Sequence, residues 1–243
     1  MIRIGVTGTD TGVGKTVIAL ALVAQLRQRG IRVAAMKPVE TGVTPGGITD
    51  AGLLRAAAGN VDRAEDVCPV RFAEPLAPLA AAERAGQVVQ LDALDGAFAR
   101  LCAGRDAIVV EGAGGLLVPL TTQLSYAGLF ARWGLAVVVV AANRLGAINH
   151  VLLTVAAVRA AGLDLGGIVL NDVQPGTAND LAAGTNARTL EQLLPDVLTL
   201  RWPWLAEPAD ARALAACADQ TGLAALYADR ATPRSHLSLE THR

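Results

Sequence analysis

The sequence is poor in cysteine, and its charges almost cancel. The 243 residues include three cysteines, Cys68, Cys102 and Cys217, and no two of them form a C-x-x-C pair. This pattern is typical of free thiols in a reducing compartment and provides no zinc-ligand spacing. The formal net charge of −1 argues against the strongly basic surface of nucleic-acid-binding proteins, so we expect no nucleic-acid partner.

Long hydrophobic runs are also absent. The longest uninterrupted apolar segments, such as 135–142, have eight residues, whereas a membrane-spanning helix needs about 20. The first residues lead directly into a short apolar strand and do not form a basic segment followed by a cleavable apolar stretch. We therefore expect a cytoplasmic protein with no membrane partner.

Lysine is the rarest charged residue in the chain. Of the 21 basic residues, all but Lys15 and Lys37 are arginine. A solvated surface position accepts either residue type, but a planar guanidinium does not replace a compact ammonium where a point charge is needed. The two lysines are therefore candidates for a functional role.

Apolar residues make up 52% of the chain, and short apolar runs alternate with longer helical stretches. The predicted strands are 2–7, 33–37, 107–111, 136–141, 167–170 and 197–201. The predicted helices are 15–27, 50–58, 76–85, 91–103, 147–161, 178–194 and 209–227. Strands that are apolar on both faces and separated by helices indicate a mainly parallel sheet covered by helices on both faces. We predict a single α/β domain over residues 1–227 and a polar C-terminal tail over 228–243.

Polar residues follow the predicted strands at their carboxyl ends. Lys37 ends the second strand and Glu111 ends the third. Asn143 with Arg144 follows the fourth strand, and Asn171 with Asp172 follows the fifth. The first strand runs into a glycine-rich loop. Ligands bind at the carboxyl ends of the strands in parallel sheets, so we expect these residues to lie along one edge.

Residues 8–16, with the sequence GTDTGVGKT, form a P-loop motif between a strand and a helix. The backbone N–H groups of such a loop cradle phosphate. Lys15 is expected to reach the β and γ phosphates, and Thr16 to ligate Mg²⁺. The strict pattern has glycine at the position of Thr9, whereas here the glycine stands one residue earlier, at Gly8.

Two carboxylates are candidates to complete a magnesium site, since Mg²⁺ takes one or two carboxylates together with phosphate oxygens and waters. Glu111 closes an apolar strand, where a buried carboxylate is costly unless it is paired. Asp50 begins a short helix and is either a metal ligand or a helix N-cap. Lys37, beside the P-loop, is expected to neutralise charge that develops on a phosphoryl or carbamate group.

Five segments together resemble the dethiobiotin synthetase family. They are GTDTGVGKT at 8–16, KPVETG at 37–42, EGAGG at 111–115, LGAINH at 145–150 and NDV at 171–173. Their order and spacing match the family over about residues 2–209. Many P-loop enzymes share the first motif, whereas its combination with the second and third is specific to this family.

The resemblance implies a P-loop NTPase fold and a ligase of biotin biosynthesis. Such an enzyme uses ATP and Mg²⁺ to join CO₂, or bicarbonate, to 7,8-diaminononanoate. The product is dethiobiotin, with ADP and phosphate, and the intermediates are a carbamate and a carbamic–phosphoric anhydride. The family also implies a homodimer whose site lies at the interface.

The resemblance further assigns roles to individual residues. Lys15 and Lys37 would be catalytic, and the diamine or its carbamate would bind Thr11 and Thr41. The magnesium ligands would be Thr16, Asp50 and Glu111. The nucleotide would be held by Gly12, Val13, Gly14, Lys15, Thr16, Val17, Asp50, Glu111, Asn171, Asp172, Pro203, Trp204 and Leu205. The substrate carboxylate would lie against a helix start of the partner subunit, formed by Gly146, Ala147, Ile148 and Asn149.

One position of the P-loop departs from the family pattern. Gly12 stands where many members of the family have glutamate, which leaves the nucleotide preference open.

The alternative interpretation is a P-loop switch ATPase of the septum-placement or plasmid-partition type. Those proteins carry a lysine five residues before the P-loop lysine, and the corresponding residue here is Asp10, which favours the synthetase.

Overall fold

The computed structural model describes residues 1–177, 180–207 and 210–228 and shows a parallel sheet between two layers of helices. The strands are β1 (Ile2–Gly8), β2 (Val33–Met36), β3 (Val39–Thr41), β4 (Val70–Phe72), β5 (Ala107–Gly115), β6 (Ala136–Ala142), β7 (Leu165–Asn171) and β8 (Thr199–Trp202). The helices are α1 (Lys15–Gln28), α2 (Asp50–Ala57), α3 (Ala64–Val67), α4 (Pro78–Arg84), α5 (Leu91–Cys102), α6 (Tyr126–Trp133), α7 (Ala147–Ala160), α8 (Leu181–Leu193) and α9 (Ala211–Gln220), followed by a 3₁₀ turn at Leu223–Leu226. The prediction of an α/β fold with a mainly parallel sheet covered on both faces is confirmed.

The main sheet has the strand order β2-β5-β1-β6-β7-β8, and all of its pairings are parallel. The strand that leads into the P-loop, β1, lies near the centre between β5 and β6. Parallel neighbours point the same way, so the loops after β1, β2, β5 and β7 emerge at one edge. This topology positions the candidate site.

Each central strand contributes alternate residues to two separate cores. In β6, Val137 and Val139 pack into the core beneath α5, α6 and α7, and Val138 and Val140 pack into the core beneath α1 and α9. Successive side chains of a strand point to opposite faces, and here both faces are covered. The uninterrupted apolar runs follow from this double burial.

Helix α6 was missed by the sequence analysis, and it packs where the strands carry glycine. A Cβ atom at Gly5 of β1 would lie 2.8 Å from the Phe130 ring, and one at Gly112 of β5 would lie 3.4 Å from Tyr126. These two glycines therefore leave the space that the α6 aromatic rings fill. The stacked rings of Phe98 and Trp133, 4.3 Å apart, join α6 to α5.

A second, two-stranded parallel sheet pairs β3 with β4. The predicted strands include none within residues 38–47, whereas β3 lies in this segment. Three-residue strands carry too little alternation to be recognised in a sequence. The backbone N–H of Lys37 also donates to the carbonyl oxygen of Val67 at 2.8 Å, which connects the end of β2 to helix α3, just before β4.

The boundaries of several elements differ from the predicted ones by a few residues. The helix predicted over 76–85 begins at Pro78, and β5 continues past Glu111 to Gly115. The helix predicted over 178–194 is α8, and the one predicted over 209–227 is α9 with the 3₁₀ turn. Residues 178, 179, 208 and 209 lie outside the described residues, as do residues 229–243 of the predicted tail.

The C-terminal elements contact the first helix. Tyr227 donates a buried hydrogen bond of 2.9 Å to the Oε1 atom of Gln25 in α1. This contact supports our proposal of one domain over residues 1–227. Among the helices that the structure describes, none combines the length and apolar character that crossing a membrane requires.

Candidate active site

The loop between β1 and α1 holds the phosphate-binding motif in a strand–loop–helix setting. Gly12 and Gly14 have φ angles of 75° and 93°, in the left-handed region that glycine adopts without a steric penalty. Gly14 also has no room for a side chain, since a Cβ atom there would overlap the amide nitrogen of Asn171. That nitrogen donates to the carbonyl oxygen of Val13 at 3.0 Å, so Asn171 holds the last turn of the loop.

Lys15 begins α1 and folds back over the loop. Its Nζ donates to the carbonyl oxygen of Asp10 at 3.0 Å, and the residue is buried. Burial lowers the pKa of Lys15 from its ordinary value of 10.5, an effect that the Glu111 carboxylate opposes. A phosphate in the loop would offer this ammonium a charged acceptor in place of a neutral carbonyl.

Lys37 lies between two carboxylates at the end of β2. Its Nζ donates to Glu111 Oε1 at 2.6 Å and to Asp50 Oδ2 at 2.5 Å. The Lys37 and Glu111 side chains are 5% and 1% exposed, so each charge compensates the desolvation of the other. Burial lowers the pKa of Lys37, but the Glu111 and Asp50 carboxylates outweigh it and hold that pKa above 10.5.

Glu111 combines a shared oxygen with an unpartnered one. Its Oε1 also accepts a hydrogen bond of 3.0 Å from the Thr16 hydroxyl, whereas its buried Oε2 has no hydrogen-bond partner among the described residues. Burial raises the pKa of Glu111, and the charge of Lys37 opposes that shift. A free carboxylate oxygen beside a hydroxyl fits a hard cation such as Mg²⁺.

The described residues contain no cluster of three or more His, Cys, Asp or Glu side chains that could enclose a metal ion. Mg²⁺ does not require such a cluster, because it is usually held by one or two carboxylates together with phosphate oxygens and waters. Thr16, Asp50 and Glu111 therefore fit a metal that arrives with a nucleotide.

Asp50 is the first residue of α2, and the interpretation of Asp50 as the helix N-cap is wrong. The N-cap is Thr49, whose side chain accepts from the backbone N–H of Gly52 at 3.0 Å. The Asp50 side chain is thereby left for the site, where it pairs with Lys37 and remains 41% exposed.

Two cavities meet at the P-loop, where Gly12, Gly14 and Val17 line both. The larger has a volume of about 660 Å³, and the predicted residues Thr11, Lys15, Thr16, Lys37, Thr41, Asp50 and Glu111 line it. The smaller, of about 170 Å³, is lined by the predicted residues Asn171, Asp172, Pro203, Trp204 and Leu205. Two groups of predicted residues, distant in sequence, therefore lie on either side of one loop.

Part of the lining of both cavities was not predicted from the sequence. Glu40, Pro75, Leu76, Ala77, Pro78, Ala113, Gly114 and Val118 complete the larger cavity, and Val173 and Trp202 complete the smaller one. Most of these residues are apolar, and apolar residues do not by themselves distinguish a cavity wall from a core. Glu40 is the exception, because it is a charged residue within the KPVETG segment.

Asp172 is engaged by the protein itself. Its carboxylate accepts bonds from Arg201, the shortest at 2.8 Å, and a bond of 2.7 Å from the Asn143 amide. The Asn143 oxygen in turn accepts from Asn186 at 3.0 Å. This network joins the carboxyl ends of β6, β7 and β8 to α8 and thereby supports Asn171. Asn143, like Asp172, follows a predicted strand at its carboxyl end, whereas no sequence pattern indicated Asn186 or Arg201.

The segment of Gly146, Ala147, Ile148 and Asn149 stands apart from the other predicted residues. These four residues line neither cavity. Gly146 is the N-cap of α7, with a φ of 91°, and the neighbouring Leu145 and Leu153 are 85% and 63% exposed. In a single chain, this helix start therefore lies outside the lining of both cavities.

A phosphate-binding loop between β1 and α1, beside a carboxylate on the neighbouring strand of a parallel sheet, defines a P-loop NTPase. The solved structure of the septum site-determining protein MinD from Pyrococcus horikoshii, complexed with Mg-ADP, is similar. It superposes with a TM-score of 0.57 at 17% identity, over 94% of this chain and 96% of that chain. At this identity, the likeness shows the fold alone.

Sequence comparison identifies the family. The model of an AAA domain family matches residues 3–207. The ATP-dependent dethiobiotin synthetase of Anaeromyxobacter dehalogenans strain 2CP-C is 46% identical over 85% of this chain and 91% of its own length. The synthetase of the same name from Aquifex aeolicus is 40% identical over 79% and 84%. The chain belongs to the ATP-dependent dethiobiotin synthetase family, which confirms the resemblance.

Gly14→Ala is expected to weaken ATP binding by more than about tenfold, since the added methyl group displaces Asn171 and the loop it holds. Gly12→Ala is the matched control, because Gly12 has a similar φ but no atom of the described residues within 4 Å of its Cβ position. It incurs only the backbone cost of about 1 kcal/mol. Titration calorimetry with ATP measures both affinities, and equal losses in the two variants would contradict the steric argument.

Proposed function

We propose that this protein is an ATP-dependent dethiobiotin synthetase that closes the ureido ring of dethiobiotin from 7,8-diaminononanoate and CO₂. The observation that carries the proposal is the Lys37 ammonium, held by Glu111 and Asp50 where the P-loop opens into the larger cavity. The substrates are inferred from family membership. The position of Lys37, between the P-loop and the larger cavity, supports a role in phosphoryl transfer to an acceptor bound in that cavity.

The reaction has three steps, in which the protein mainly positions groups and compensates charge. One amine of the diamine adds to CO₂ and loses a proton to give a carbamate. A carbamate oxygen then attacks the γ-phosphorus of ATP, and the bond to ADP breaks. The second amine attacks the carbon of the resulting mixed anhydride, which closes the ring and expels phosphate.

The two lysines act on different parts of this reaction. Lys15, in the loop, neutralises the β and γ phosphates. Lys37 lies on the cavity side of the loop and stabilises charge on the carbamate and on the phosphoryl group during transfer. Its pairing with Glu111 and Asp50 keeps it protonated and fixed in position, so little reorganisation is needed as charge develops.

Thr16, Asp50 and Glu111 are the residues that would hold Mg²⁺. When bound, the ion would draw negative charge from the phosphate oxygens. The unpartnered Oε2 of Glu111 supports this assignment, since a buried carboxylate oxygen without a partner is costly. Glu111 Oε1 and the Asp50 carboxylate contact Lys37, so the same two side chains would hold both the ammonium and the metal ion.

The remaining predicted residues divide between the two cavities. Thr11 and Thr41 lie on the larger cavity, where we assign the diamine and its carbamate. In the smaller cavity we assign the nucleoside to Asn171 and to Pro203, Trp204 and Leu205. We assign the phosphates to the loop and helix start from Gly12 to Val17, which include Val13 and Gly14. For Asp172 we propose a supporting role, because Arg201 and Asn143 engage its carboxylate.

We further propose a cytoplasmic homodimer in which each subunit completes the site of the other. Gly146, Ala147, Ile148 and Asn149 begin α7 and would receive the substrate carboxylate, since a helix N-terminus favours an anion. They line neither cavity of their own chain, and the exposed Leu145 and Leu153 provide an apolar surface for the partner.

Phosphate release from ATP should require both 7,8-diaminononanoate and bicarbonate. The proposed acceptor of the phosphoryl group is the carbamate, which forms only when both are present. Release is measured with each component omitted in turn. ATP hydrolysis that is indifferent to the diamine would contradict the synthetase and favour a switch ATPase.

Lys37→Arg should slow turnover by more than about tenfold, since a planar guanidinium does not fit between two carboxylates that hold a point charge. The positive charge is retained, so circular dichroism and the thermal midpoint should show a folded protein. Turnover is measured at saturating substrates. Near-normal turnover would remove Lys37 from the mechanism.

Leu153→Asp should convert the dimer to a monomer with at least about tenfold lower activity, because a charge on the proposed apolar interface is not tolerated. Val88→Asp is the control, as Val88 is 69% exposed and lies outside α7. Analytical ultracentrifugation gives the assembly state. A Leu153→Asp protein that remains dimeric, or a fully active monomer, would overturn the proposed interface.

A further inference from the structure

Glu40 is a buried carboxylate for which the proposed reaction provides no direct role. It lies in β3, between Val39 and Thr41, and is 5% exposed. Its side chain is part of the wall of the larger cavity. The Lys37 ammonium pairs with Asp50 and Glu111 and not with Glu40, and a buried carboxylate is costly unless strong partners satisfy it.

The partners of Glu40 are the first backbone N–H groups of α2. Its Oε1 accepts from the N–H of Asp50 at 2.6 Å, and its Oε2 from the N–H of Ala51 at 3.4 Å. The first N–H groups of a helix have no partner within the helix, and a negative charge at that end is favourable. Glu40 therefore attaches the start of α2 to the small sheet.

The residue that Glu40 holds in this way, Asp50, is a predicted metal ligand. Asp50 is held at two points: Glu40 accepts from its backbone N–H, and Lys37 donates to its carboxylate at 2.5 Å. Both holding residues come from one short segment that begins where β2 ends. Without Glu40, the placement of the half-exposed Asp50 side chain would depend more strongly on its ion pair with Lys37.

Thr49 provides a comparison at the same helix end. It caps α2 through the N–H of Gly52, at 3.0 Å, and does not accept from the N–H of Asp50. Thr49 therefore supports the helix in general, whereas Glu40 fixes the position of Asp50 itself. Variants of Thr49 and Glu40 therefore distinguish an effect on the stability of α2 from an effect on the position of the Asp50 carboxylate.

We propose that Glu40 is a positioning residue, which holds the Asp50 backbone so that the Asp50 carboxylate stays beside Lys37 and Glu111 to bind the divalent cation. The inference rests on the proposed function in one respect, the assignment of Asp50 as a metal ligand. A glutamine at position 40 would keep one acceptor but lose the charge and the second acceptor oxygen.

The test measures binding of Mn²⁺, a spin-active substitute for Mg²⁺, by the whole protein with a saturating non-hydrolysable ATP analogue. Electron paramagnetic resonance reports the free Mn²⁺. Glu40→Gln is expected to weaken Mn²⁺ binding by about tenfold, the lower end of the effect of removing a partner of a metal ligand. Thr49→Ala should change it by less than about twofold, and thermal melts establish that both variants fold.

A double-mutant cycle with Asp50→Asn shows whether Glu40 acts through Asp50. In the Asp50→Asn background, Glu40→Gln should cost less than about twofold, because the carboxylate it positions is already gone. Equal losses in both backgrounds, no loss in Glu40→Gln, or an equal loss in Thr49→Ala would overturn the positioning role alone. Unchanged Mn²⁺ binding in Asp50→Asn itself would overturn the proposed metal site and, with it, this inference.

Discussion

The site depends on the contact between the Lys37 ammonium and the Glu111 carboxylate. Strands β2 and β5 are parallel neighbours, and Met36 of β2 pairs with Val110 of β5. Lys37 directly follows Met36, and Glu111 directly follows Val110, so sheet register brings the two charges together. On the other side of β5, Val6 of β1 pairs with Glu111, which places the P-loop and Thr16 against the same carboxylate.

A buried ion pair of this kind contributes little to the stability of the fold. The desolvation of two charges can exceed their attraction, and apolar residues of similar volume often stabilise a core as well. Its value here is positional, because it fixes an ammonium and a carboxylate between the phosphate loop and the larger cavity. Glu40 adds to the same arrangement by holding the helix that carries Asp50.

Much of the architecture could be predicted, because runs of residues such as those of β6 are apolar on both faces and interrupted by helices. The P-loop could be predicted for a local reason, since its function depends on consecutive backbone groups. The short strands β3 and β4 could not, as three residues show no period. Helix α6 was missed as well, although its position follows from the space that Gly5 and Gly112 leave for its aromatic rings.

The site was predictable where chemistry and strand ends coincide, as at Lys37, Glu111 and Asn171. It was less predictable where a side chain acts through the backbone of another residue, as Glu40 does, or through a network such as that of Asn143, Asp172 and Arg201. These contacts join distant segments, and no local pattern marks them. The N-cap alternative for Asp50 required the structure for the same reason, since Thr49 occupies the cap.

The central claim is that Lys37 is a protonated ammonium locked between two carboxylates, and the scarcity of lysine makes it measurable. Protein labelled with ¹³C only in lysine contains two labelled side chains, Lys15 and Lys37. Their Cε signals are followed by NMR between about pH 8 and pH 11, a range that spans the ordinary lysine pKa. One signal, from Lys15, should titrate below 10.5, and the other, from Lys37, should not complete its titration in that range. Assignment by Lys37→Arg identifies the second signal, and a Lys37 that titrates at or below 10.5 would contradict the account.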